Sequence, residues 1–231
     1  MPSILITGAN RGLGLALTKQ YAAHGWRVFA CCRDVDAASQ LNAVAAAAGE
    51  NVTVHGLDVT DGASVAALAA TLSEEAIDVL LNNAGVYLDK TEGFGEAKFD
   101  DWEETFRVNT CAPMRLAEAF VEQIARSGRK QIISISSTMG SQAENTDGGA
   151  YAYRASKAAL NAVARSLTAD LKDRGITVVV LHPGWVSTDM GGPEAPVTPA
   201  ESAHGMREVI ERLTVADSGR FLGYDGAEIP W

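Results

Sequence analysis

The sequence predicts an α/β fold: a doubly wound, seven-stranded parallel sheet with helices on both faces. Three observations carry this. Short β-rich runs alternate with helical runs along the whole chain, as in successive βα units joined by right-handed crossovers. Runs such as Ile132-Ile133 and Val178-Val179-Val180 are continuously apolar, as strands covered on both faces must be. No linker, composition break or low-complexity tract interrupts the pattern, so residues 1–231 read as one domain.

Taken in order, Ser3–Thr7 is an apolar strand that runs into a glycine-rich turn and then a helix, Leu13–His24. Strand Arg27–Cys32 puts Cys31 and Cys32 on opposite faces. Helix Asp36–Ala48 ends in the run Ala43–Ala48, which reads as ordinary helix. Strand Val52–Leu57 leads past Asp58 to helix Ala63–Leu72. Strand Val79–Asn82 is followed by a loop, Tyr87–Phe99, carrying Gly93 and Gly95, and then by a long helix, Asp101–Ser127. Strand Gln131–Ser136, the loop Met139–Gly149 and the alanine-rich helix Ala150–Asp173 form the next unit. After strand Thr177–His182 comes Thr188–Pro199, where Gly191, Gly192, Pro193 and Pro196 disfavour a helix and imply a short, mobile flap with little apolar surface to offer a substrate. Thr198 as N-cap, Pro199 in the first helical position and Glu201 closing a capping box start helix Ala200–Leu213. Arg220–Leu222 is the last strand.

Composition removes several function classes. The chain is 47% apolar and 21% charged, ordinary for a globular protein. A formal net charge of −10 argues against non-specific binding to nucleic acid or to anionic membranes. No stretch of about 18 apolar residues is present to span a bilayer, and the N-terminus has no basic region before its first strand. Cys31, Cys32 and Cys111 show neither a disulfide framework nor zinc-ligand spacing, so reduced cysteines, a cytoplasmic setting and no metal are expected.

Two constellations bear chemistry. The turn Thr7-Gly8-Ala9-Asn10-Arg11-Gly12-Leu13-Gly14 follows a strand and opens a helix within a βαβ unit. There Gly8 permits a tight turn, Gly12 lets backbone approach a pyrophosphate at the helix N-terminus, and Gly14 permits close helix–strand packing. This is the placement of a Rossmann-type dinucleotide site. At the end of the second strand, where an acid would take a ribose 2′-hydroxyl, stand Cys32 and Arg33. With Arg11, Arg33 suits a 2′-phosphate, so NADP(H) is expected over NAD(H), with NAD(H) still possible and Asp34 positioned to neutralise Arg33. The second constellation is Tyr153 and Lys157, one helical turn apart, downstream of Ser136-Ser137. A phenol titrates near ~10, so a neighbouring ammonium is needed to bring it toward neutral pH. Tyr151 has Ala155 in the corresponding position and lacks such a partner.

These residues resemble the short-chain dehydrogenase/reductase family over nearly the whole chain. The family's glycine turn reads as Thr7 to Gly14, its adenine-contacting acid as Asp58 beside Val59, and its asparagine–glycine segment as Asn82-Asn83-Ala84-Gly85. Its helix asparagine reads as Asn109, its tyrosine–lysine pair as Tyr153 and Lys157, and its proline–glycine segment as Pro183-Gly184, followed by Val186 and Thr188. More narrowly, Gly149 to Lys157 and Leu181 to Val186 are similar to the C-factor and sniffer-type carbonyl reductases. The resemblance implies hydride transfer between NADP(H) and a carbonyl or alcohol. Tyr153 would be the general acid and Ser137 the orienter of the substrate oxygen. Lys157 would hold the nicotinamide ribose, and Asn109 would anchor a water leading to solvent. Asn10, Leu13, Asn82, Ala84, Gly85 and Thr188 would line the cofactor. Neighbours on a strand face opposite ways, so only one of Ser136 and Ser137 reaches the pocket; family position favours Ser137, although the loop Gly140–Gly149 lengthens the interval to Tyr153. Asp58 has an alternative as a turn acceptor, and oxidation of an alcohol or a nucleotide-binding signalling role stand as alternative functions. A homodimer, then a homotetramer, is expected from helices Asp101–Ser127 and Ala150–Asp173, with Ala155, Ala158, Ala159 and Ala162 allowing close approach.

Overall fold

The continuously apolar runs become the interior strands of one sheet. A computed structural model describes residues 1–231 and has seven parallel strands: β1 (Ser3–Thr7), β2 (Arg27–Cys32), β3 (Val52–Gly56), β4 (Val79–Asn82), β5 (Gln131–Ile135), β6 (Thr177–His182) and β7 (Phe221–Gly223). Their order is β3-β2-β1-β4-β5-β6-β7. The chain therefore winds outward one way from β1 and then back the other way from β4. Ile4, Leu5 and Ile6 of β1 pair with Val28, Phe29 and Ala30 on one side and with Val79, Leu80 and Leu81 on the other. Open sheets of this kind bind ligands where the winding reverses, beyond the strands' C-terminal ends.

The helices are α1 (Gly12–Ala23), α2 (Ser39–Ala48), α3 (Gly62–Thr71), α4 (Phe99–Phe106), α5 (Ala112–Ala125), α6 (Tyr151–Asp170) and α7 (Pro199–Arg212). Strand alternation feeds two cores. Ile4, Ile6 and Leu81 pack with Leu17 of α1 and Met206 of α7 on one face. Leu5, Phe29 and Leu80 pack with Leu116 and Phe120 of α5 on the other. Cys31 and Cys32 fall in different cores, as their adjacency on a strand requires. No helix is long and apolar enough to cross a membrane.

Most element boundaries fall within a residue of those expected, and the exceptions have local causes. α2 begins at Ser39 rather than Asp36 because the Asp34 carboxylate accepts the Ala37 N–H at 3.0 Å and holds a turn there. The expected helix Asp101–Ser127 is broken into α4 and α5 by a π-helical turn, Arg107–Cys111. Pro113 lacks the N–H that would bond the Asn109 carbonyl in an α-helix, and its ring crowds that carbonyl, so the turn widens. α7 carries the expected capping box: Glu201 N donates to Thr198 Oγ1 at 3.2 Å and Thr198 N to Glu201 Oε2 at 2.8 Å. The flap between Thr188 and the start of α7 contains no helix, yet it is cross-linked rather than loose. Val186 and Val197 form a β-bridge, Ser187 N donates to Val197 O at 2.9 Å, and Trp185 Nε1 donates to Gly191 O at 2.8 Å.

Gly205 in α7 allows a close approach to the turn after β7. A Cβ there would stand 2.5 Å from Tyr224 O and 3.0 Å from Tyr224 Cδ2. Alanine is the better helix former by about 1 kcal/mol, but overpacking against backbone costs about 1–3 kcal/mol. Gly205→Ala should therefore destabilise, by on the order of 1 kcal/mol, lowering the thermal midpoint by about 2–4 °C. A midpoint that rises in a thermal melt would show that propensity wins.

Candidate active site

At the C-terminal end of β1 the backbone turns at Gly8 (φ +65°) and Gly12 (φ +52°), conformations that favour glycine. What fixes this turn is Asn83, which sequence reasoning passed over. Its Nδ2 donates to Thr7 O at 2.8 Å and Gly8 O at 3.2 Å, while Asn83 N and Ala84 N donate to Thr7 Oγ1 at 3.0 and 2.9 Å. The packing is so close that a Cβ on Gly14 would lie 2.2 Å from Gly8 O. The signal was the second asparagine of the Asn82-Asn83-Ala84-Gly85 segment. Helix α1 starts without a side-chain cap: Arg11, at the N-cap, is extended and its side chain turns outward. The leading amides of α1 are thus left to an anion, beside Asn10 and Leu13.

The expected ribose end divides. Arg33 is exposed and forms no ion pair; Asp34 spends its carboxylate on Ala37 N instead. Arg11 is paired with Asp189 at 2.6 Å, but both side chains are largely exposed, and such pairs contribute little. Asp58 fills the turn-acceptor role: its Oδ1 accepts from Thr60 N at 2.8 Å and Thr60 Oγ1 at 2.7 Å. The Thr60 hydroxyl and amide hold this carboxyl below its usual range, assisted by Arg33 and Arg107. Val59 is buried, and its carbonyl is bound by Arg115.

The catalytic candidates converge between β5 and α6. Ser136 faces away from the cleft, donating to Asn161 Oδ1 at 2.7 Å. Ser137 stands on the other side, where its Oγ accepts from Met139 N at 3.1 Å. Lys157 is buried and donates from Nζ to Ile135 O at 2.8 Å. Its Nζ lies 5.7 Å from the Tyr153 ring centroid. A Cβ on Gly85 would sit 3.3 Å from Asn109 Oδ1 and 3.7 Å from Lys157 Nζ, so these three residues meet at one bare patch of backbone. Asn109 is fully buried; its Oδ1 accepts from Val86 N at 2.9 Å, and its Nδ2 donates to Val86 O at 2.9 Å and Ser156 Oγ at 3.0 Å. The Asn109 side chain is thus committed to the protein.

Electrostatics departs from one expectation. Burial pushes the Tyr153 phenol up to about 12; nearby Ser137 opposes this, and Tyr87 and Asp89 add to it. Burial brings the Lys157 ammonium down to about 8. In the protein alone the phenol is therefore raised, because desolvation outweighs the opposing effect of Ser137.

The remaining expected residues border the cleft. Asn82 donates from Nδ2 to Ser134 Oγ at 3.2 Å and has a buried, unpartnered Oδ1. Pro183 O accepts from Ser202 Oγ at 2.6 Å, and Gly184 bends the chain toward Val186. The Thr188 methyl would stand 3.4 Å from a Cβ on Gly12, so the flap faces the glycine turn. Two further residues were not foreseen. Tyr87 stacks on Tyr153, ring centroids 4.2 Å apart, and Asp89, buried, accepts from Ala152 N at 2.7 Å and Tyr153 N at 3.3 Å. A separate cleft of about 270 Å³ lies on the outer side of α6 among Trp102, Tyr151, Arg154, Ala155 and Ala158, and touches neither Tyr153 nor Lys157.

Uncapped helix amides, a bare glycine surface and an unpaired guanidinium together fit a phosphorylated dinucleotide. The sequence profile described as short chain dehydrogenase matches residues 2–197. The chain is 44% identical over 165 residues to C-signal of Myxococcus xanthus, covering 71% of this chain and 99% of that protein. Among solved structures, carbonyl reductase Sniffer of D. melanogaster superposes with a TM-score of 0.94 at 36% identity, over 100% of both chains. An NADPH-bound carbonyl reductase from chicken fatty liver superposes with a TM-score of 0.92 at 37% identity, covering 100% of this chain and 99% of that one.

Proposed function

The chain belongs to the short-chain dehydrogenase family, and from that premise we propose that it is an NADPH-dependent carbonyl reductase of small ketones or aldehydes, acting in the cytoplasm. The observation that carries the reading is the convergence of Tyr153 and Lys157 on the C-terminal end of β5, which Ser137 follows. The cofactor, when bound, supplies hydride to the carbonyl carbon. Its pyrophosphate would rest on the Gly8–Gly14 turn and the amides of α1, its 2′-phosphate on Arg33 and Arg11, and its adenine on Asp58 and Val59. Asn82, Ala84, Gly85, Pro183, Gly184, Val186 and Thr188 would line the path to the nicotinamide. Likeness to an NADPH-bound reductase supports the phosphate, as does the unpaired state of Arg33.

The chain's own residues then account for the proton. Ser137 donates a hydrogen bond to the substrate oxygen and sets its distance from the phenol. Tyr153 is protonated at neutral pH and so begins as an acid, giving its proton to the oxygen as charge develops there. Lys157, a buried ammonium without a carboxylate partner, stabilises the phenolate left behind. Running backward, the same groups oxidise an alcohol. A purely nucleotide-binding role draws on the likeness to C-signal, but the complete Ser137, Tyr153 and Lys157 set favours turnover.

Assembly as a homodimer is part of the proposal, a tetramer being the next choice. Ala155, Ala158, Ala159 and Ala162 lie on the side of α6 away from the sheet, which Ala152, Tyr153, Leu160 and Ala164 face. Beside them α4 carries an aromatic ladder: Phe99, exposed, Trp102 and Phe106, with successive ring centroids 6.2 Å apart.

Tyr153→Phe should lower turnover by about 10²–10⁴-fold while leaving NADPH affinity, read by nucleotide fluorescence, nearly unchanged. Tyr151→Phe should be mild, and equal losses from the two changes would refute the assignment. NADPH should bind more tightly than NADH. Arg33→Ala should weaken NADPH by about tenfold or more and NADH little, the worth of a charge-assisted contact; a variant with an unchanged ratio of affinities would sink the phosphate assignment. Light scattering at micromolar concentration should return twice the 24.3 kDa chain mass, and a monomer mass would overturn the dimer.

A further inference from the structure

Helix α6 delivers Tyr153, yet it lacks a local start signal. Its N-cap is Ala150, which has no side-chain acceptor and sits in the left-handed region at φ +45°, a conformation unfavourable for a residue with a Cβ. The missing cap arrives from the loop after β4. The Asp89 carboxylate takes the amides of Ala152 and of Tyr153 itself, and Glu92 O accepts from Ala150 N at 3.3 Å. Two residues before Asp89, the Tyr87 ring lies on the Tyr153 ring with an interplanar angle of 22°. This segment is anchored at its own root, because Asn109 holds Val86 by both its amide and its carbonyl.

The geometry points to Asp89 as a positioning residue for Tyr153: through the amides of Ala152 and Tyr153 it seats the first turn of α6, with Tyr87 fixing the ring plane. This rests on Tyr153 being the proton donor. Nothing in the proposed reaction requires Asp89 to touch substrate. The groups facing the phenol are Lys157 from α6, Tyr87 and Asp89 from the loop after β4, with Lys90 over Tyr87, and Ser137 from the end of β5. Asp89 is the one carboxylate among them, and it disfavours the phenolate. Removing its charge therefore moves the phenol's titration down. The alkaline loss of reduction, which needs the phenol, moves to lower pH. The onset of oxidation, which needs the phenolate, moves the same way.

The test compares Asp89→Asn, which keeps an acceptor for the two amides, with Asp89→Ala, which removes it, in the full-length protein with NADPH. Asp89→Ala should cut kcat by about tenfold or more, with KM for NADPH within about twofold, because misplacing an acid costs the chemical step rather than cofactor binding. Asp89→Asn should lose less kcat and shift the alkaline limb of the reductive pH profile downward. A readout free of turnover accompanies it: the ultraviolet change of tyrosine ionisation belonging to Tyr153, isolated by difference from Tyr153→Phe, should appear at lower pH in the Asp89→Asn background. Unchanged kcat in a folded Asp89→Ala protein overturns the assignment. So does a lowered kcat in Asp89→Asn with both titrations unmoved, since that is what mere structural damage gives. If Tyr153→Phe keeps full turnover, it is the acid assignment that falls, and the ultraviolet titration still decides whether Asp89 governs the phenol.

Discussion

The interaction on which the site depends is the side chain of Asn109 clasped to the backbone of Val86. Asn109 sits in the π-helical turn between α4 and α5 and is wholly buried, so its amide must find partners inside the protein. It takes both polar groups of Val86, just past the end of β4, and Ser156 of α6. Three elements distant in sequence are thereby held at one point. Gly85, adjacent to Val86, presents bare backbone to that point, and Lys157 reaches it from the third element. A second clasp, Asn83 on Thr7 and Gly8, does the same for the glycine turn. The glycine turn and the Tyr153–Lys157 pair are thus joined through one short segment, Asn83 to Val86.

Charge in the site follows from burial more than from pairing. Lys157 has no carboxylate within reach and donates a hydrogen bond to a main-chain carbonyl, so desolvation alone lowers its affinity for a proton. Tyr153 loses solvent as well and gains a carboxylate neighbour, and its phenol is stabilised in the neutral form. Two buried groups pushed in opposite directions leave a neutral phenol beside a cation, the arrangement that the proposed proton transfer from Tyr153 needs.

How much of this was legible depended on whether the cause was local. Strands β1, β2, β4 and β6 were readable to the residue because continuous apolar runs bounded by polar or glycine residues have local causes. The capping box at Thr198 and Glu201 was legible for the same reason. The π turn was not, although Pro113 marks it: the apolar period continues across Arg107–Cys111, so the pattern looks like unbroken helix. Ser136 and Ser137 could be told apart only by family position, until Asn161 on α6 claimed one of them. Asp89 was invisible. Its partners lie 63 and 64 positions away, and no spacing rule links a loop aspartate to amides of a helix not yet assembled.

The strand order has a consequence for how such a chain comes into being. β1 takes its first neighbour from Arg27–Cys32, but its second, Val79–Asn82, emerges some fifty residues later, by the numbering of the two strands. A parallel pair cannot close through a hairpin, so β1 waits for the intervening β2, α2, β3 and α3. During synthesis, Ile4, Leu5 and Ile6 therefore present an open, apolar edge for the several seconds that ~5–20 residues per second implies. The residues that later form the middle of the sheet are the ones most exposed to wrong pairing while it is half made, and the central position that protects them in the finished protein is filled only by a strand from its other half.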